Sequence, residues 1–81
     1  MTIQVLFFAR LKEIFGESPR RIRLAENATV DELVRTLSHE SEKFRLNKLP
    51  LVFAVNENFE SGETFLKEGD VVALMTPVSG G

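Results

Sequence analysis

One amphipathic helix is the strongest structural signal in this sequence. It is predicted to begin at Thr29, because residues 29–32 form a capping box whose two carboxylates lie in the first turn, where the helix dipole favours negative charge. Its apolar residues recur at helical spacing and form one stripe: Val30, Leu33, Val34, Leu37 and, two turns further, Phe44. A stripe of this kind must be buried, and we expect it to pack across one face of a β-sheet.

Four segments of strand length supply that sheet, at residues 2–8, 21–24, 51–55 and 71–75. In the first segment the alternation of side chains places three apolar residues on one face and two on the other, Ile3, Val5 and Phe7 against Leu6 and Phe8. Such a strand is usually central in its sheet, with one side on the core and the other side covered or used for contact.

A short helix is predicted between the first two strands. Residues 9–15 change to helical spacing, with Leu11, Ile14 and Phe15 on one side, and Gly16 stands where a left-handed C-terminal cap is expected.

The second strand carries an arginine cluster. Its alternation predicts that Ile22 and Leu24 face inward and that the arginines face water. Arg20, Arg21 and Arg23 could dock an acidic partner, although a solvated strand face is the simpler interpretation.

The order of elements defines the expected fold class. It runs strand, short helix, strand, long helix, strand, turn-rich segment, strand, and a chain of 81 residues has room for one core. One long helix across one face of a mixed four- to five-stranded sheet, with a short additional helix, is an α+β architecture, and its commonest small version is the β-grasp or ubiquitin-like roll. In that roll the first and last strands lie side by side in the sheet centre. We place the domain at residues 1–75 and a flexible tail at residues 76–81.

Composition argues against several functional classes. Ten basic residues stand against twelve acidic ones, so a nucleic-acid partner is not expected. The chain has no cysteine, which removes disulfides, cysteine-held metal sites and thiol nucleophiles. The first residues carry no basic n-region and are soon followed by charged ones, so we expect neither a signal peptide nor a membrane span, and a cytoplasmic location is the default.

The side chains offer little catalytic chemistry. His39 is the only histidine, on the polar side of the long helix, and no serine has the spacing of an activated nucleophile. The carboxylates are spread over helix caps and turns, so we predict no metal site, and the glycines in turns form no phosphate loop.

The C-terminal tail remains as the candidate reactive part. It leaves the last strand through Pro77, which cannot donate to a sheet ladder, and it ends in Gly80 and Gly81, which have no side chains. An extended tail of this kind is thin enough to enter a partner's active site. Its terminal carboxylate is ionised and repels nucleophiles. Adenylation from ATP would make it a mixed anhydride, which a sulfur donor could convert to a thiocarboxylate. The alternative is that the two glycines occur there by chance in an ordinary flexible tail.

Four segments carry a resemblance to a known family. They are V-L-F-F-A-R-L-K-E-I-F-G at residues 5–16, T-V-D-E-L-V-R-T-L at 29–37, A-V-N-E-N at 54–58 and E-G-D-V-V-A-L-M-T-P-V-S-G-G at 68–81. The chain resembles the small, sulfur-carrying subunits of molybdopterin synthase over nearly its whole length, most specifically in the last segment. One departure is Thr76, where the family often has the first of two prolines.

The resemblance implies a β-grasp fold and several partners. An adenylating enzyme related to ubiquitin-activating enzymes would use ATP to activate Gly81, and a sulfur donor protein would supply the sulfur. The large synthase subunit, which would hold the catalytic pocket, would then use the thiocarboxylate to build the dithiolene of molybdopterin from cyclic pyranopterin monophosphate. No cofactor would be bound permanently by this chain, which would not be an enzyme on its own.

The resemblance also implies two groups of site residues. The arm inserted into the partner would be Pro77, Val78, Ser79, Gly80 and Gly81, and the surface that binds the partner would include Phe8, Phe59 and Met75. The strand alternation places Phe8 and Met75 opposite the core set, and Phe59 lies in a polar loop without a periodic partner. The alternative is that these three side chains only cover a small core from outside.

Two other functions stay open. A carrier of the same build could serve thiazole or thiolated-tRNA synthesis, with the same chemistry at Gly81. A ubiquitin-like interaction module would have no chemistry at its terminus.

Overall fold

The computed structural model describes residues 1–46 and 50–77. Along these residues the elements are β1 (Thr2–Phe7), α1 (Arg10–Phe15), β2 (Arg20–Arg23), α2 (Val30–Glu40), α3 (Glu42–Arg45), β3 (Val52–Val55), β4 (Asn58–Glu60) and β5 (Val71–Met75). None of the helices in this described part is long and apolar enough to cross a membrane.

The five strands form one mixed sheet in the order β2-β1-β5-β3-β4. β1 runs parallel to β5, and the other neighbouring strands are antiparallel. The first and last strands are therefore adjacent in the interior of the sheet, which confirms the predicted β-grasp arrangement.

The core lies between one face of this sheet and α2. Ile3, Val5 and Phe7 of β1 are almost fully buried, as the alternation predicts. They belong to one apolar cluster with buried residues of β5 and α2: Val72, Leu74, Val30, Leu33 and Leu37. α2 thus covers only one side of the sheet, and no helix of the described residues covers the opposite side.

The long helix is shorter than its apolar stripe predicts. The hydroxyl of Thr29 accepts a hydrogen bond from the amide of Glu32 at 3.3 Å, so the predicted N-cap is present. At Ser41 the backbone becomes extended, and the Ser41 hydroxyl accepts from the amide of Phe44 at 3.2 Å and caps a new helix. The prediction of one stripe on a continuous helix was therefore wrong, because Ser41 stabilises a break.

Phe44 is buried even so, on the separate helix α3. Its ring meets that of Phe15 edge-on at a centroid distance of 5.2 Å, and Phe15 stacks on Phe7 at 4.5 Å. These contacts tie α1 and α3 to β1. Residues 1–46 and 50–77 thus contain two short helices besides α2, where the sequence predicted one.

A tight hairpin joins β3 to β4. Asn56 and Glu57 form its two-residue turn with φ angles of 50° and 72°, the left-handed pair of a type I′ turn. Phe59 lies in β4, opposite Ala54, and not in a loop as its polar surroundings predicted. That assignment was wrong because all three residues of this short edge strand are exposed, so the strand shows no alternation.

Candidate docking face and C-terminal arm

The helix-free side of the sheet carries a continuous apolar surface. Residues opposite each other in neighbouring strands point to the same side, and Leu6 pairs with Ala73, Ala73 with Ala54, and Ala54 with Phe59. This row crosses four strands on the side away from α2. We call the surface the open face and define it by Leu6, Phe8, Val52, Ala54, Phe59, Val71, Ala73 and Met75.

The structure brings the three predicted docking residues onto this one surface. Phe7 pairs with Leu74 in the parallel ladder, so the next residues along, Phe8 and Met75, are neighbours on the open face. Phe59 lies on it at the β4 edge. Phe8 is 46% exposed and Phe59 74% exposed, whereas Met75 is half-buried. Large apolar groups that are exposed together on one face are typical of a protein-binding surface.

A shallow depression of about 560 Å³ forms the centre of the open face. Its floor and walls include Leu6, Phe8, Val71, Ala73 and Met75, and the hairpin turn at residues 56–57 forms part of its rim. Sequence reasoning did not assign Val71 and Ala73 to a site. The period-two pattern of the last strand could have found them, because both alternate with the buried Val72 and Leu74.

A strained turn holds Phe8 at the end of β1. The amide of Leu11 donates to the carbonyl of Phe8 at 3.1 Å and closes a four-residue turn. Its second residue, Ala9, has φ 54° and ψ −130°, a conformation that favours glycine. The amide of Phe8 also donates to the carbonyl of Leu74 at 3.1 Å. The backbone at Phe8 is therefore fixed on both sides, which limits where its ring can lie.

The C-terminal arm begins beside this surface. β5 ends at Met75, Thr76 is buried with 6% of the residue exposed, and Pro77 is exposed. Since β1 and β5 are parallel, the carboxyl end of β1, where Phe8 lies, is at the same edge of the sheet as the point where the arm leaves. The arm residues Val78, Ser79, Gly80 and Gly81 lie outside the described residues, and their assignment stays a prediction.

The remaining candidate groups form no second site within the described part of the chain. His39 is exposed in the last turn of α2. Within residues 1–46 and 50–77, no three acidic or histidine side chains are grouped so that they could hold a metal ion.

Fold and site together define a class of protein. A β-grasp domain with a mixed five-stranded sheet, an apolar face opposite α2 and a C-terminal segment starting beside that face belongs to the ubiquitin-like class. Comparison with protein families gives the particular group. The ThiS family matches residues 5–81, and this chain belongs to that family.

Individual relatives agree with this membership. The molybdopterin synthase sulfur carrier subunit of Escherichia coli is 35% identical, over 98% of this chain and 99% of the relative. A solved Pyrococcus furiosus structure is 30% identical, has a TM-score of 0.86, and the match covers 95% of this chain and 98% of that one. A chain from the Helicobacter pylori complex of subunits 1 and 2 of molybdopterin-converting factor is 30% identical, with a TM-score of 0.68 and full coverage of both chains. The family resemblance and the β-grasp fold predicted from the sequence are thus confirmed.

Proposed function

We propose that this chain is the sulfur-carrier subunit of molybdopterin synthase. The observation that carries the proposal is its likeness to the Escherichia coli sulfur carrier subunit across almost the full length of both chains. The family match also runs through the C-terminal segment as far as residue 81. This likeness favours the molybdopterin pathway over a carrier for thiazole or tRNA thiolation.

The reacting group in this proposal is the carboxyl of Gly81. In the first step its oxygen attacks the α-phosphorus of ATP on an adenylating enzyme, pyrophosphate leaves, and an acyl adenylate forms. In the second step a sulfur atom from a donor protein attacks the carbonyl carbon. That sulfur is the outer atom of a persulfide on the donor, so the carbon–oxygen bond to AMP breaks, AMP leaves and an acyl disulfide forms. A reducing thiol then attacks the donor-side sulfur, the sulfur–sulfur bond breaks, the thiol and the donor form a disulfide, and the thiocarboxylate is released. Neither step needs a side chain of this chain, which agrees with its lack of cysteine.

The folded domain then has to present that group to a partner. From Pro77 to Gly81 an extended chain spans roughly 15 Å, because each extended residue adds about 3.3 Å. An arm of this reach can enter a pocket in the partner while the open face binds the partner's surface. Phe8, Phe59 and Met75 are the proposed anchors, because they are the larger apolar groups of that face.

The partner in this proposal is the large synthase subunit, which holds the catalytic pocket. The Helicobacter pylori relative was solved in a complex of subunits 1 and 2, and this supports a two-subunit assembly. In the pocket the thiocarboxylate gives its sulfur to cyclic pyranopterin monophosphate for dithiolene formation. The chain is therefore a sulfur-donating subunit, and ATP is used by the adenylating enzyme and is not held here.

Reconstitution tests the proposal. The chain is mixed with the large subunit, the adenylating enzyme, ATP, a sulfur donor and cyclic pyranopterin monophosphate, and molybdopterin is measured. The matched control lacks only Gly81, and its circular dichroism spectrum and melting temperature should equal those of the full chain. We expect molybdopterin from the full chain and none from the shortened chain. Equal production by both chains would refute the assignment of Gly81.

A further inference from the structure

The arginines of β2 are divided between the two sides of the sheet. Arg20 pairs with Val5, a core-facing residue, and its guanidinium forms an ion pair with Glu40 at the end of α2. Arg21 pairs with Gln4, which alternates with Val5 and so points to the open side. The position of Arg20 is therefore explained by a contact within the fold.

Arg23 shares the side of Arg21. It pairs with Thr2, which lies two residues before Gln4 and so points the same way. Both arginines are exposed, and neither forms an ion pair within residues 1–46 and 50–77. Two unneutralised guanidinium groups thus stand at one edge of the sheet, on the side that carries the apolar surface.

These arginines border the apolar surface directly. Gln4 pairs with Arg21 on one side and with Val71 on the other, and Val71 lines the central depression. Adjacent strands are about 4.8 Å apart, and Arg21 and Val71 lie two strands apart, so their backbones are separated by roughly 10 Å. A long arginine side chain can largely span this distance. The edge at β2 is basic in a chain whose net charge is −2.

Acidic residues also lie around the open face. Glu57 lies in the hairpin turn at the rim of the depression, toward the β4 edge. Glu68 lies near the Arg23 end, because its carboxylate accepts a hydrogen bond from the amide of Thr2 at 2.9 Å. Asp70 lies next to Gln4, because its carbonyl accepts a hydrogen bond from the amide of Gln4 at 2.9 Å. The Asp70 carboxylate, however, accepts from the Asn56 side chain and from the amide of Lys67. The face has a basic edge, an apolar centre and an acidic turn, an order that favours one orientation of a bound partner.

We propose that Arg21 and Arg23 form a basic rim of the open face, and that the large subunit meets this rim with carboxylate side chains. The inference rests on the proposed function and adds the chemistry of the partner surface. Arginine suits such a role because its planar guanidinium binds carboxylates through two hydrogen bonds and is weakly hydrated. At the edge of an interface the two charges speed association and set the orientation of the partner more than they lengthen the life of the complex.

Association kinetics with the purified large subunit test the rim. The double variant Arg21→Glu/Arg23→Glu is compared with wild type at about 50 mM and about 500 mM salt, because screening shortens the reach of charges between these conditions. We expect association to slow about 10-fold or more at low salt, with a smaller difference at high salt. The dissociation rate should change by less than the association rate. Arg21→Gln should give an intermediate effect, since it removes one charge without adding the opposite one.

Arg35→Glu is the matched control. Arg35 is exposed on α2, on the other side of the sheet, and the substitution makes the same change of charge per site. Equal slowing by Arg35→Glu would show a general effect of net charge and would overturn the rim. Association of the double variant, or of Arg21→Gln, at the wild-type rate would also overturn the rim. If the arginines serve only to keep an edge strand from pairing with other chains, glutamates would do the same and association would be unchanged.

Different results would refute the rim and the proposed function. If the wild-type chain neither binds the large subunit nor supports molybdopterin formation, the proposed function is wrong. If the wild-type chain does both and the charge variants still associate normally, only the rim is wrong.

Discussion

Replacing Phe59 with alanine separates docking from folding. Phe59 is 74% exposed on the edge strand β4, so its ring contributes little to the core of the free domain. Phe59→Ala should change the free energy of unfolding by less than about 1 kcal/mol, within the range of strand propensities at exposed positions. Its effect on binding should be larger, because the exposed ring is the surface available to the partner.

The size of that effect follows from the exposed area. A phenylalanine side chain has roughly 200 Å² of surface that can be buried. With 74% exposed, about 150 Å² can still be buried in a complex. At about 25 cal/mol per Å², full burial corresponds to at most about 4 kcal/mol. Alanine keeps its Cβ and burial is rarely complete, so we expect a loss of about 2 kcal/mol, or a roughly 30-fold higher Kd.

Calorimetric titration with the large subunit measures this loss, and Phe65→Ala is the control. Phe65 is 65% exposed, but it lies beside the N-terminus of α2, where it bridges to Thr29, and not on the open face. The two variants make the same chemical change at similarly exposed sites. We expect a higher Kd only for Phe59→Ala. An unchanged Kd for this variant, or equal losses for both, would refute the placement of the docking surface.

Three further predictions concern stability, measured by urea unfolding. Ala9→Gly should raise the free energy of unfolding by about 1 kcal/mol, because glycine relieves the positive φ at this position; a decrease would show that the turn is unstrained. Thr29→Ala should lower it by about 1 kcal/mol through loss of the N-cap of α2, whereas Thr36→Ala, within the same helix and exposed, should cost much less; equal losses would argue against a capping role. Phe44→Ala should lower it by about 3–5 kcal/mol if α3 is part of the core, and a loss under about 1 kcal/mol would contradict that packing.

The central strands could be predicted from the sequence because their side chains alternate between a buried and an open side. Ile3, Val5 and Phe7 follow this pattern, and all three are buried. The same period places Phe8 and Met75 on the helix-free side, which agrees with the structure. In each case one physical cause, burial on one face of a pleated strand, determines both the alternation in the sequence and the side of the sheet on which a residue lies.

Two other features could not be predicted in this way. β4 has three exposed residues, so hydrophobic periodicity does not reveal that Phe59 lies in a strand; its position depends on the hairpin turn and on pairing with β3. The break at Ser41 depends on a local competition, because a serine hydroxyl that caps a new helix can interrupt an apolar stripe that would fit a continuous one. The stripe itself continues to Phe44 and gives no sign of the break.

The role of the arm stays a prediction, since it depends on chemistry at a terminus that lies beyond Pro77, the last described residue. Intact-protein mass spectrometry tests it most directly, with the chain incubated with its adenylating enzyme, ATP and a sulfur donor. A thiocarboxylate at Gly81 predicts a mass increase equal to one sulfur replacing one oxygen, confined to the C-terminal peptide and absent without ATP. An unchanged mass under conditions in which a known carrier of the family is converted would contradict the account.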